Sequence, residues 1–141
     1  MWDDIVIGAA LIGWTAIVHG AFMVVGLKIF PPAARNLRHH IGRAVLITVI
    51  VLWFFMATIL EAWSWAVVYR MLGIFADMET ALYFSTVCFT TLGFGDIILD
   101  QHYRLLGAFQ AAGGMVIFGW TTAMVFDAVQ KVYRPHGEAH K

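Results

Sequence analysis

Thr90-Thr91-Leu92-Gly93-Phe94-Gly95-Asp96 lies between two long apolar stretches, and its reading decides what the chain can be. Backbone groups left unpaired in lipid cost several kcal/mol each, so a glycine-containing, non-helical segment at membrane depth must face protein or water. Two glycines separated by one residue permit positive φ at alternate positions. Such a backbone can turn successive carbonyls to one side, which an ordinary strand cannot do. A row of carbonyls aimed at one axis is a ligand array for a dehydrated cation.

The rest of the chain suits that setting. Its 141 residues are 61% hydrophobic and 13% charged, against roughly 45–50% and about 25% in soluble domains. So much apolar surface does not fit inside one small soluble core. The expected class is an all-α membrane protein with little outside the bilayer. Formal net charge is zero, so no basic excess points to nucleic acid, and the single cysteine, Cys88, excludes an intrachain disulfide. The acidic start, Met1-Trp2-Asp3-Asp4, argues against a cleaved signal peptide.

Three apolar spans are expected. An N-terminal helix occupies residues 1–30, its apolar run from about Ile5 to Leu27 exceeding the roughly 20 residues a bilayer core needs. Its small residues Gly8, Gly13, Gly20 and Gly26 allow close helix approach. His19 near its middle is a functional candidate by position, although a neutral imidazole bonded to a neighbouring helix is the simpler reading. Phe30-Pro31-Pro32 is expected to stop this helix. Residues 31–43 form a basic loop or interfacial helix, with Leu37 and Ile41 on one face and Arg35, Arg38, His39 and Arg43 elsewhere.

A second span covers residues 44–70, with Glu61 toward its far end, where it is expected to reach interfacial water or a polar partner behind the glycine loop. Trp63, Trp65 and Tyr69 around Glu61 read as an interfacial aromatic belt. Asp77 makes an N-cap for a short helix over residues 77–90, with Glu79 in its first turn. The third span covers residues 103–132. Its Gly113-Gly114 pair costs helix stability, so it either allows close packing or marks a bend. A short tail, residues 133–141, remains. Seven of the nine basic residues, Lys28, Arg35, Arg38, Arg43, Lys131, Arg134 and Lys141, fall in the first loop and at the C-terminus. Positive charge favours the cytoplasm, so the N-terminus and the glycine loop are expected outside a cell membrane and the C-terminus inside.

Thr91-Leu92-Gly93-Phe94-Gly95-Asp96 resembles the Thr-Val-Gly-Tyr-Gly-Asp signature of potassium-channel selectivity filters. Ala81-Leu82-Tyr83-Phe84-Ser85 is similar to the same family's pore-helix run, and the resemblance extends from the second span through the third. It implies a re-entrant pore helix, a filter and a homotetramer in the lipid bilayer conducting potassium ions, with no organic cofactor. One copy cannot surround an axis, and a closed cyclic oligomer is the natural solution. The family likeness places potassium at the carbonyls of Thr91, Leu92, Gly93 and Phe94 and the Thr91 hydroxyl, makes Gly95 part of the filter, and sets Asp96 at the outer mouth. Gly114 resembles the family's hinge glycine by its distance from the filter. Thr122, Phe126 and Gln130 recur every four residues and share one face, expected to line the inner cavity with Phe126 as a constriction; the alternative has Phe126 facing lipid. Asp127 would either attract cations or pair with a basic residue of a neighbouring subunit.

Two departures from the family stand out. Phe94 lacks the hydroxyl of the commoner tyrosine, and Val87 stands where some bacterial relatives carry a glutamate behind the filter. Other readings are a non-selective cation channel and a non-conducting subunit of a larger assembly. No paired carboxylates, Ser–Lys pair or His-x-x-x-His set appears in the spans, so an enzyme is not expected. A dinucleotide site at Gly93-x-Gly95 fails for want of a third glycine and a βαβ context.

Overall fold

A computed structural model describes residues 2–35 and 39–133. Four helices follow in order: α1 (Trp2–Arg35), α2 (His40–Met71), α3 (Met78–Phe89) and α4 (Arg104–Tyr133). Trp2–Ala33, His40–Met71 and Arg104–Tyr133 are each long and apolar enough to cross a membrane, with mean hydropathies of 1.9, 2.4 and 1.4. At 1.5 Å per residue, α3 is only about 18 Å long, short of a hydrocarbon core of about 30 Å. The described residues form an all-helical membrane protein.

Local signals explain α3. Asp77 is extended (φ −131°, ψ 159°), and its carboxylate accepts from the Thr80 amide at 2.7 Å and the Thr80 hydroxyl at 2.9 Å. That satisfies one of the orphan donors of the first turn, and Glu79 complements the dipole.

Tertiary packing overrides the local signal at Pro31-Pro32, because α1 runs through both prolines to Arg35 instead of stopping. The donors lost belong to the last turns, where few bonds remain to break. Phe30 meanwhile packs edge-on against Trp53 of α2 (centroids 6.1 Å apart), and the Trp53 indole donates to the Phe22 carbonyl at 3.0 Å. These contacts hold the end of α1 against its neighbour. The second span correspondingly begins at His40. Arg38 and Leu37 of the expected interfacial helix, and the tail from Arg134 on, lie outside the described residues.

α1 packs on α2 and α4, while α3 wedges between α2 and α4. The core sits around that wedge: Ala66, Tyr69, Ala81 and Leu106 are fully buried. Rings of Tyr69, Phe75 and Phe84 meet at 5.2–6.0 Å. The expected aromatic belt is therefore corrected. Trp63 is exposed, but Trp65 and Tyr69 are core residues, because their side of α2 receives α3. A helix pattern alone does not show which stripe of an all-apolar span a short helix will cover.

Candidate functional site

The glycine loop leaves the C-terminal end of α3 and adopts an alternating backbone. Thr91, Gly93 and Gly95 have φ of 58°, 55° and 78°, while Leu92 and Phe94 between them do not. Thr91 is the only non-glycine with positive φ among the described residues, a conformation disfavoured for a β-branched side chain. Amides of Leu92 and Gly93 turn back to the Val87 carbonyl at 3.0 and 3.4 Å, and that of Thr91 to Cys88 at 3.0 Å. Donors thus point toward α3. No backbone donor among the described residues reaches the carbonyls of Thr91 through Gly95. The side chains of Leu92 and Phe94 are 57% and 64% exposed.

Two hydrogen-bonded supports brace this loop. At its far end the Tyr83 hydroxyl of α3 donates to Asp96 at 2.6 Å, holding the Asp96 carboxyl below the usual carboxylate range. Behind it, Tyr69 donates to Gln110 Oε1 (2.7 Å), and Gln110 Nε2 donates to the Ser85 hydroxyl (2.7 Å). Ser85 in turn donates to the Ala62 carbonyl at 2.6 Å. Tyr69, Gln110 and Ser85 are all fully buried, so α2, α3 and α4 are joined by one satisfied polar chain. Sequence reasoning quoted Tyr83 and Ser85 only as parts of a run and did not single out Gln110. Its signal was available: a lone amide inside an apolar span needs a partner.

Gly114 lies inside the uninterrupted α4, directly against the Phe89 backbone at the end of α3. A Cβ there would fall 2.9 Å from the Phe89 carbonyl carbon and closer still to its oxygen. At Gly113 it would meet Ile12 of α1 at 3.3 Å. The pair admits neighbours on two sides of α4, which is the close-packing branch of the expectation.

A family model for ion channels matches residues 44–131, from α2 through most of α4. The chain belongs to this ion channel family. Its function is passive ion conduction across a membrane, and α1 precedes the matched stretch. Comparison with curated proteins gives no significant match, and neither does comparison with solved structures.

In this ion channel protein Thr122, Phe126 and Gln130 are exposed along α4, Phe126 at 63%. Thr122 donates to the Phe118 carbonyl at 2.8 Å. Asp127 accepts from Lys131 one turn along the same helix at 2.6 Å, so its basic partner is local; the expected cross-subunit pairing is not needed to satisfy it. Of the two partners expected for Glu61, interfacial water or a polar group, it meets a polar group, His19 of α1: Nδ1 and Oε1 lie 3.0 Å apart, with both side chains fully buried.

Proposed function

We propose that this channel is potassium-selective and that four copies assemble around the glycine loop as its selectivity filter. One observation carries the reading: positive φ at Thr91, Gly93 and Gly95 alternates with ordinary φ at Leu92 and Phe94. Alternation of hand from residue to residue lets consecutive carbonyls project to one side while amides point to the other. Ringed by symmetry, carbonyls of Thr91, Leu92, Gly93 and Phe94 with the Thr91 hydroxyl replace the hydration shell of a potassium ion, and Gly95 closes the filter. Asp96 concentrates cations at the outer mouth.

Assembly has its own support. Leu92 and Phe94 present apolar side chains that a single copy leaves uncovered, and cyclic closure of identical copies covers all four sets at once. In the tetramer Thr122, Phe126 and Gln130 face the inner cavity, with Phe126 at its narrowest ring, while Gly114, expected beside them, instead packs against the Phe89 backbone of α3. The basic residues of the first loop and C-terminus set the orientation, with N-terminus and filter outside the cell membrane and C-terminus in the cytoplasm.

The experiment is cation efflux from liposomes with sodium as competitor, for the natural chain and for Gly93→Ala. Potassium flux that sodium does not match, and that Gly93→Ala abolishes, is expected. Equal potassium and sodium flux would refute selectivity and favour a non-selective pore, which the missing hydroxyl at Phe94 makes the specific rival. Purification as a monomer, or only with another subunit, would remove the homotetramer.

A further inference from the structure

Three helices meet at one polar point inside the apolar layer. His19 of α1 faces Glu61 of α2 through Nδ1 at 3.0 Å and Thr121 of α4 through Nε2 at 3.3 Å. His19 and Glu61 are 0% exposed. At 1.5 Å per residue the imidazole lies about 25 Å along α1 from Trp2, near mid-membrane. Phe54 and Trp120 close over the ring at 5.6 and 5.1 Å. α1 stands outside the family-matched residues, so one member of this cluster comes from a helix that the pore pattern does not include.

One assignment of hydrogens satisfies all three contacts of this cluster. The Thr121 hydroxyl donates its only hydrogen to the Ile117 carbonyl at 2.9 Å. Toward His19 it can then only accept, which places a hydrogen on Nε2. Between Nδ1 and Glu61 Oε1 there is room for one proton. Glu61 Oε2 is buried without a protein partner, a poor place for half of a carboxylate charge. In that assignment the proton rests on Glu61, and Oε1 donates to Nδ1. Moving it across that bond leaves the pair neutral. Only gain or loss of a whole proton gives the junction a unit charge.

Among the described residues nothing else nearby can absorb such a charge. From α2 the only titratable group facing His19 is Glu61; from α4 the facing groups are Thr121 and Trp120, neither of which titrates. Thr15, a turn away on α1, is spent on the Ile12 carbonyl, and α3 does not contact α1. Among the described residues no cluster of three His, Cys, Asp or Glu side chains could hold a metal ion.

We propose that His19 and Glu61 form an intramembrane proton-binding site that couples one proton to the position of α4 and so makes conduction pH-dependent. The inference goes beyond the reading of the filter and needs conduction but not potassium selectivity. An added proton puts hydrogens on both imidazole nitrogens and on the carboxyl, so Oε1 can no longer donate to Nδ1. The resulting net positive charge is expensive in an apolar layer unless the helices part or water enters. Thr121 precedes Thr122 of the exposed α4 stripe, so parting at the junction displaces that stripe directly.

The test uses the full chain in liposomes with two readouts. Difference infrared spectroscopy follows the carbonyl stretch of a protonated carboxylic acid, and cation efflux is followed across about pH 5 to 8, where histidines titrate. The acid band should be present at neutral pH, absent in Glu61→Gln and shifted in His19→Gln. Efflux from the natural chain should change at least about fivefold over that range, the lower end of allosteric coupling, and stay flat in both variants. Thr121→Val, which removes the acceptor for Nε2 and the bond to the Ile117 carbonyl but neither titratable group, should shift the pH profile without flattening it, and it serves if either titratable variant fails to fold. A missing acid band, a flat profile in the natural chain, or profiles unchanged in the variants would overturn the proposal. Absence of efflux at every pH would count against conduction itself, and the infrared titration would then decide the proton site alone.

Discussion

Gly114→Ala and Gly119→Ala make the same chemical change on the same helix and should have opposite effects. At Gly119 a Cβ meets nothing within 4 Å; at Gly114 it meets the Phe89 backbone at 2.9 Å and less. Ordinary contact begins near 3.4 Å, so α3 and α4 must separate by at least 0.5 Å, and further along the carbonyl. The obstacle is backbone, which cannot rotate away as a side chain would. Overpacking of this kind costs about 1–3 kcal/mol, offset by about 1 kcal/mol from the better helix former. A net loss of about 1 kcal/mol corresponds to a fall in Tm on the order of 3–5 °C for a chain of this size. Gly119→Ala should leave Tm unchanged or raise it. Phe89 is two residues before Thr91, so Gly114→Ala should also reduce efflux, whereas Gly119→Ala should not. Thermal unfolding of purified protein and liposome efflux measure both. A hinge role alone would predict the reverse for stability, since alanine favours the helix. Gly114→Ala with natural Tm and natural efflux would refute the packing argument.

Tyr83→Phe removes the donor that keeps Asp96 ionised at acid pH. The Asp96 carboxyl should then protonate at higher pH, moving the acid loss of efflux upward; superimposable acid limbs would count against that bond. Gln110→Leu leaves the Tyr69 hydroxyl buried without its acceptor, which costs about 1–3 kcal/mol and should lower Tm, with Tyr69→Phe costing less. Phe126→Ala should raise basal efflux if the exposed α4 stripe lines the cavity; unchanged efflux at normal expression would place Phe126 against lipid.

The features legible in the sequence were those that one segment decides for itself. Three spans follow from run length, the start of α3 from the side chain of Asp77, and the alternating backbone of the loop from glycines at Gly93 and Gly95. Thr91 was the exception within that loop. Its positive φ is imposed by amides tied back to Val87 and Cys88, not by its own preference.

What only the tertiary structure decided is which stripe of each apolar helix meets a neighbour. In an amphipathic soluble helix polarity marks that stripe; in a span that is apolar all round it does not. Hence Trp65 and Tyr69 read as an interfacial belt although α3 buries them, and Pro31-Pro32 reads as a stop although packing on Trp53 carries α1 past it. Gly114 and Gly119 cannot be told apart by residue type, only by the Phe89 carbonyl that lies against one of them. For the same reason His19 and Glu61 each announced a need for a polar partner. That they supply it to each other, across 42 residues of sequence, is a fact of packing. The alternating glycines needed no such information, because backbone handedness is set within the loop.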